Sequence, residues 1–111
     1  MVKRGDIFWV NFKLGGRHLI CGKRPAIIVS NDTANTFSSI VNVIPLTSQN
    51  KKILPTHVVI CGYGLTRPSI ALAEQVVSID KSNLLGKIGT LVTTSKMIEI
   101  DHCLRIQLDV A

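Results

Sequence analysis

The chain has 111 residues, 46% of them hydrophobic, with 13 Lys and Arg against 7 Asp and Glu. One domain spanning residues 1–111 is expected, large enough for a core without disulfides or a structural metal. The apolar fraction excludes a disordered chain, no run approaches the ~18 apolar residues of a membrane span, and the basic N-terminus lacks a signal peptide's apolar stretch, so a soluble cytoplasmic protein with no membrane partner is expected.

Asp6 to Phe12 reads as a first strand, apolar on both faces, with Ile7 and Trp9 on one side and Phe8 and Val10 on the other. A loop follows from Lys13 to Lys23, with glycines near both ends. Pro25 to Ser30 is a short continuous apolar strand, and Asn31-Asp32 supplies a turn. Ile40 to Leu46 reads as strand and Thr47 to Lys52 as a polar loop. Thr56 to Cys61 is a strand, Gly62-Tyr63-Gly64 a turn, and Ser69 to Asp80 holds one or two further strands. Helix is expected only late. Lys81 to Leu85, stopped by Gly86, can make one turn, and Thr94 or Ser95 can cap a helix running to about Leu108. Met97, Ile100, Leu104 and Leu108 form its apolar stripe, expected to pack on the core. Strands first and an amphipathic helix last predict an α+β domain built on a small β-barrel, with short helices and a C-terminal helix.

Charge is unevenly placed. Residues 1–24 hold Lys3, Arg4, Lys13, Arg17, Lys23 and Arg24 against Asp6 alone, while residues 25–111 hold seven basic and six acidic residues. A basic segment on a chain of pI near 9.6 suits a polyanionic partner, because phosphate contacts draw affinity from counterion release. The three cysteines, Cys21, Cys61 and Cys103, lie far apart without a CxxC, which predicts free thiols rather than a zinc site or a disulfide framework. No phosphate-binding loop, GxGxxG or HExxH is present. Among the carboxylates only Glu99 and Asp101 are close in sequence, and they fall on opposite sides of the expected helix, against a two-metal nuclease site. His57 and His102 read as structural.

Two polar features stand at strand ends beside loops. In Gly22-Lys23-Arg24-Pro25 the proline biases Arg24 toward an extended conformation at the strand entrance. Thr47-Ser48-Gln49 places two hydroxyls and an amide directly after the strand Ile40 to Leu46. A guanidinium fork and hydroxyl donors make a cradle for a phosphate.

These stretches resemble the MazF/PemK toxins of bacterial toxin–antitoxin systems. The matching pieces run in order from Lys3-Arg4-Gly5-Asp6-Ile7-Phe8-Trp9-Val10 through Arg24-Pro25-Ala26-Ile27-Ile28-Val29-Ser30-Asn31-Asp32 and Leu46-Thr47-Ser48-Gln49. Further on stand Leu54-Pro55-Thr56-His57-Val58, Ser69-Ile70-Ala71-Leu72-Ala73-Glu74-Gln75-Val76 and Ile79-Asp80-Lys81. The resemblance implies an SH3-like barrel of the CcdB/PemK type, a homodimer, a MazE-like cognate antitoxin as partner, and cleavage of single-stranded RNA without a metal or cofactor. It places catalysis on Arg24 and Thr47. RNA contacts are expected from Arg17, His18, Gly22 and Lys23 on one loop and from Ser48, Gln49, Lys51 and Lys52 on the other, with Gln75 beside them.

RNA carries its own nucleophile, the 2′-hydroxyl, so the protein need supply only stabilisation of charge developing on phosphorus oxygens. Arg24 is the expected clamp and Thr47 a second donor. Arginine is a poor proton acceptor, which leaves the general base open, with His18 the one candidate. The segment Arg17 to Lys23 is more basic and more apolar than the Ser-Glu-Gln-Gly-Gly type found in many relatives. Phe8, Trp9 and Phe12 are expected in the core, so edge hydrogen bonds from Gln49 and Gln75 are expected to read bases. Two other classes fit the same pattern: a non-enzymatic, gyrase-binding toxin of the CcdB kind, and a basic nucleic-acid-binding barrel without activity.

Overall fold

The computed structural model describes residues 1–13 and 18–111. In chain order these form β1 (Asp6–Phe12), β2 (Gly22–Ile28), α1 (Asp32–Phe37), β3 (Ile40–Thr47), β4 (His57–Ile60), β5 (Ser69–Leu72), β6 (Val77–Asp80), β7 (Leu84–Thr90) and α2 (Ser95–Leu108). Short 3-10 helices at Ala73–Gln75 and Lys81–Asn83 flank β6.

All strand pairings are antiparallel, in the order β4-β5-β3-β2-β1-β7. One edge of β3 carries two partners in succession. Its first half, Ile40 to Val43, pairs with β6, and its last two residues, Leu46 and Thr47, pair with β5. Pro45, which has no N–H to donate, falls between the two pairings, and the 3-10 helix Ala73–Gln75 fills the gap on the other side.

Apolar residues alternate through this sheet and build a core on each face. Ile7, Ile27, Ile44, Leu46, Val58, Ile60 and Ala71 lie on one side with Met97, Ile100 and Cys103 of α2. Val10, Phe12, Ala26, Ile28, Val41 and Val43 lie on the other, with Phe8, Ile20, Ile79 and Leu84 packed at its edge. This two-faced burial explains why β1 and β2 read as continuous apolar runs.

The α+β domain expected from the sequence, a small barrel with short helices and a C-terminal helix, agrees with the observed antiparallel sheet and helices, and three local expectations are corrected. Asn31-Asp32 does not make a simple turn but opens α1: the Asn31 side chain caps it by accepting from the Ala34 N–H at 2.8 Å. Strand β7 occupies residues where the sequence offered no strand, and it closes onto β1 with two register shifts. The buried stripe of α2 is Met97, Ile100 and Cys103, while Leu108 is 54% exposed, because the helix outruns the sheet it packs on.

Candidate functional site

Arg24 and Thr47 are brought together by strand register. Residues Ala26, Ile27 and Ile28 of β2 face Pro45, Ile44 and Val43 of β3. Continuing that register by two residues sets Arg24 across from Thr47. Alternation puts Arg24 on the face of Ala26 and Ile28, and Thr47 on the face of Val41 and Val43, which is the same face. The row extends to Val10 of β1 on one side and to Ile70 of β5 on the other. Thr47 ends β3, and Arg24 is the third residue of β2, two before the pairing with β3 begins at Ala26.

The Arg24 Nε donates to the Cys21 carbonyl at 3.3 Å, which turns the guanidinium toward the loop that precedes β2. Gly22, at φ +78°, provides the left-handed turn that lets this loop enter the strand. Thr47 is buried, and its hydroxyl accepts the Gln49 N–H at 3.2 Å. A hydroxyl used in this way keeps its own proton for a further acceptor.

The other residues expected to touch RNA surround this pair unevenly. Arg17 lies outside the described residues. His18, Ser48, Gln49, Lys51 and Lys52 are exposed on the two loops that border β2 and β3, and Gly22 and Lys23 are exposed as the first two residues of β2 itself. Gln75 is differently placed. Its Oε1 accepts the Ile20 N–H at 2.8 Å, and its Nε2 donates to the His18 carbonyl at 3.2 Å. The side-chain amide therefore clamps the backbone on both sides of Leu19, and each end of it already holds a partner.

Gln75 is fixed from beneath. Glu74 accepts the Thr56 hydroxyl at 3.0 Å and lies 2.8 Å from His57 Nε2. His57 Nδ1 accepts the Leu54 N–H, so Nε2 carries the proton that meets Glu74. Burial alone would raise the Glu74 carboxyl, but hydrogen bonds from His57, from its own backbone and from Thr56 hold it below the usual carboxylate value. His57 is thus structural, as its sequence context suggested. The Cys103 thiol beneath it donates toward the Pro55 carbonyl at 3.4 Å, and burial pushes its pKa up, as expected of an inert thiol.

One aromatic residue is not where alternation predicted. Trp9 is 45% exposed rather than in the core, and it lies outside the cluster that buries Ile7 and Ile27. It lines a cleft of about 390 Å³ with Lys23, Arg24, Pro25, Ser48, Thr66 and Arg67, floored by Leu46, Leu65 and Ile88. The sequence reading missed Trp9 and Arg67; the signal available was their place at strand and turn ends, not their hydropathy.

Most of the remaining carboxylates hold partners of their own. Asp6 accepts the Lys3 N–H and lies near Lys87, Asp32 accepts the Arg4 N–H, and Asp101 pairs with the Arg4 guanidinium at 2.6 Å. Among the described residues no group of three His, Cys, Asp or Glu side chains converges as a metal site would require. No described helix is long and apolar enough to cross a membrane.

An antiparallel sheet with a C-terminal helix packed on one face defines a small α+β domain. The chain belongs to the family of PemK-like, MazF-like toxins of type II toxin–antitoxin systems, whose model matches residues 3–108. It is 39% identical over 111 aligned residues to an endoribonuclease MazF from Staphylococcus epidermidis, covering 97% of this chain and 92% of that protein. Its fold superposes on MazF from Deinococcus radiodurans with a TM-score of 0.84 at 23% identity, covering 98% and 97% of the two chains. A mycobacterial endoribonuclease in complex with its cognate antitoxin gives a TM-score of 0.83 at 23% identity, covering 100% and 98%.

Proposed function

We propose that this protein is a toxin endoribonuclease that cleaves single-stranded RNA, and that Arg24 and Thr47 carry the reaction. The observation that supports it most strongly is the register that sets these two side chains on one face of adjacent strands, between two exposed basic loops. The 39% identical relative bears the same activity in its name.

In this reading the RNA 2′-oxygen attacks the adjacent phosphorus while the bond to the 5′-oxygen breaks. The products are a 2′,3′-cyclic phosphate and a 5′-hydroxyl. The proton of the 2′-hydroxyl goes to a base, for which His18 is the candidate, and the departing 5′-oxygen takes up a proton. Arg24 clamps the phosphorus oxygens as their charge grows, and the Thr47 hydroxyl donates a second hydrogen bond. A donor fixed before the reaction begins is worth ~3–4 kcal/mol of barrier in such sites. Carboxylates that are dispersed, most of them already partnered, favour a mechanism driven by these donors without a metal.

The test is direct. Purified protein incubated with a long RNA in excess EDTA is expected to give discrete fragments at an undiminished rate, with 5′-hydroxyl and cyclic phosphate ends. A requirement for a divalent ion, or 5′-phosphate products, overturns the mechanism. We also infer a homodimer that works in the cytoplasm and is silenced by a cognate, MazE-like antitoxin, in keeping with the antitoxin complex known for a structural neighbour.

A further inference from the structure

Lys23 and Arg24 are adjacent on β2, so their side chains leave the strand on opposite faces. Arg24 shares the face of Thr47. Lys23 shares the face of Pro25 and Ile27, onto which the Trp9 cleft opens. A chain crossing the entrance of β2 therefore meets both.

The cleft is built rather than incidental. Gly64 and Ile88 both line it, and the turn Gly62-Tyr63-Gly64 lies directly on β7. A Cβ at Gly64 (φ +91°) would meet the Ile88 carbonyl oxygen at 2.2 Å, and one at Gly89 would meet the Tyr63 carbonyl oxygen at 1.9 Å. Two glycines thus permit a contact that any side chain would forbid, and the contact delivers Thr66 and Arg67 to the rim opposite Trp9.

The chemistry of the lining is specific. It offers Lys23 and Arg67, with Arg24 at its border from the other face of β2, the hydroxyls of Ser48 and Thr66, and an exposed indole, with no carboxylate. None of the ion pairs among the described residues engages these three cations. Cations beside an aromatic face are the means by which proteins hold single-stranded nucleic acid: phosphates are neutralised while a base stacks on the ring. An acidic peptide would use the cations but has less need of the indole.

We propose that this cleft is a nucleotide subsite in which one base of single-stranded RNA stacks on Trp9 while Lys23 and Arg67 hold the flanking phosphates. The proposal rests on the ribonuclease reading above and extends it from the Arg24–Thr47 face, over the end of β2, to the other side of the sheet.

Trp9 is the chain's only tryptophan, so its fluorescence reports the cleft alone. The probe is a single-stranded oligonucleotide of mixed sequence, 2′-O-methylated throughout so that it cannot be cleaved, because stacking tolerates any base. It is expected to quench Trp9 saturably, whereas the same backbone made of abasic sugars is expected to bind without quenching. Trp9→Leu is expected to weaken oligonucleotide binding and raise the KM for RNA cleavage about tenfold, the effect of losing one stacked base, with Trp9→Phe restoring most of it. Arg67→Ala is expected to weaken binding and flatten its salt dependence. Equal quenching by the abasic backbone, an unchanged KM in Trp9→Leu, or quenching by poly-glutamate but not by the oligonucleotide overturns the subsite. The first two leave cleavage by the wild-type protein intact, and absence of that cleavage is what refutes the ribonuclease reading.

Discussion

At Arg24, backbone and charge act together. Pro25 restricts the residue before it to extended geometry, the Cys21 carbonyl holds Nε, and the register across β2 and β3 supplies Thr47 as the neighbour. A guanidinium held in this way loses little freedom when it meets a phosphate. Arg24→Ala is therefore expected to lower kcat at least ~100-fold with the fold intact, the cost of one transition-state donor. Arg24→Lys is expected to recover little, since a point charge does not reproduce a planar fork. Thr47→Val keeps the shape of a buried side chain and removes its hydroxyl, so it is expected to be slow, whereas Thr47→Ser keeps much of the rate. Single-turnover cleavage of an end-labelled RNA, with circular dichroism to confirm folding, measures all four. Wild-type rates in both Arg24→Ala and Thr47→Val would remove these residues from the mechanism. That Arg24 and Thr47 border loops was legible in the sequence, from Pro25 and from the polar run that ends β3, whereas a shared catalytic role was implied by the family resemblance. The exposure of Trp9 was not legible, because alternation shows which face a residue takes and not whether the facing layer reaches that far.

Among the elements, the 3-10 helix Ala73–Gln75 has the most connections for its size. Glu74 ties it down to Thr56 and His57, and Gln75 reaches up to the backbone at His18 and Ile20. An element so placed transmits the stability of β4 to the loop before β2. Gln75→Ala is expected to loosen that loop and raise the KM for RNA several-fold while kcat changes less. A kcat loss as large as that of Arg24→Ala would instead place Gln75 among the reacting groups. The Glu74 carboxyl, held below its ordinary value of 4.5, makes a signed contribution to stability. The folded state binds this proton less tightly than the unfolded state does, so the contribution is complete above the ordinary value and is lost as pH falls through the lower folded value. Urea midpoints followed down through that acid range should decline more steeply for the wild type than for Glu74→Gln, and parallel declines would contradict the linkage. These connections were invisible in sequence, as were α1 and β7. Six residues capped by Asn31 carry too short a pattern for helical periodicity to register. Strand β7, Leu-Leu-Gly-Lys-Ile-Gly-Thr, is mostly exposed or half-buried and owes its conformation to pairing with β1 rather than to its own residues. By contrast β1, β3 and α2 were readable almost to their ends, because each buries its own apolar pattern.

For the whole molecule, the deciding quantities are a formal charge of +6 and the apolar surface left uncovered. Phe37 on α1 is 83% exposed and Ile98 on α2 70%. The second lies on the outer side of α2, beside a groove of about 420 Å³ lined by His57, Val58, Glu99, His102 and Arg105. Pairing of two copies would cover such surface and bring two sets of basic loops into one assembly. A net positive assembly attracts RNA and an acidic, disordered antitoxin segment for the same electrostatic reason, and a segment that folds as it binds can cover a long path across the toxin. The two ligands are therefore expected to compete, and both affinities are expected to fall with added salt, RNA the more steeply because each neutralised phosphate releases a counterion. Sedimentation at micromolar concentration should give about twice the 12.1 kDa chain mass. Titrating the antitoxin segment into toxin already bound to a fluorescent, non-cleavable RNA should then release the RNA. A monomer under those conditions contradicts the assembly. A ternary complex in which neither ligand weakens the other contradicts a shared basic surface, whatever the oligomeric state turns out to be.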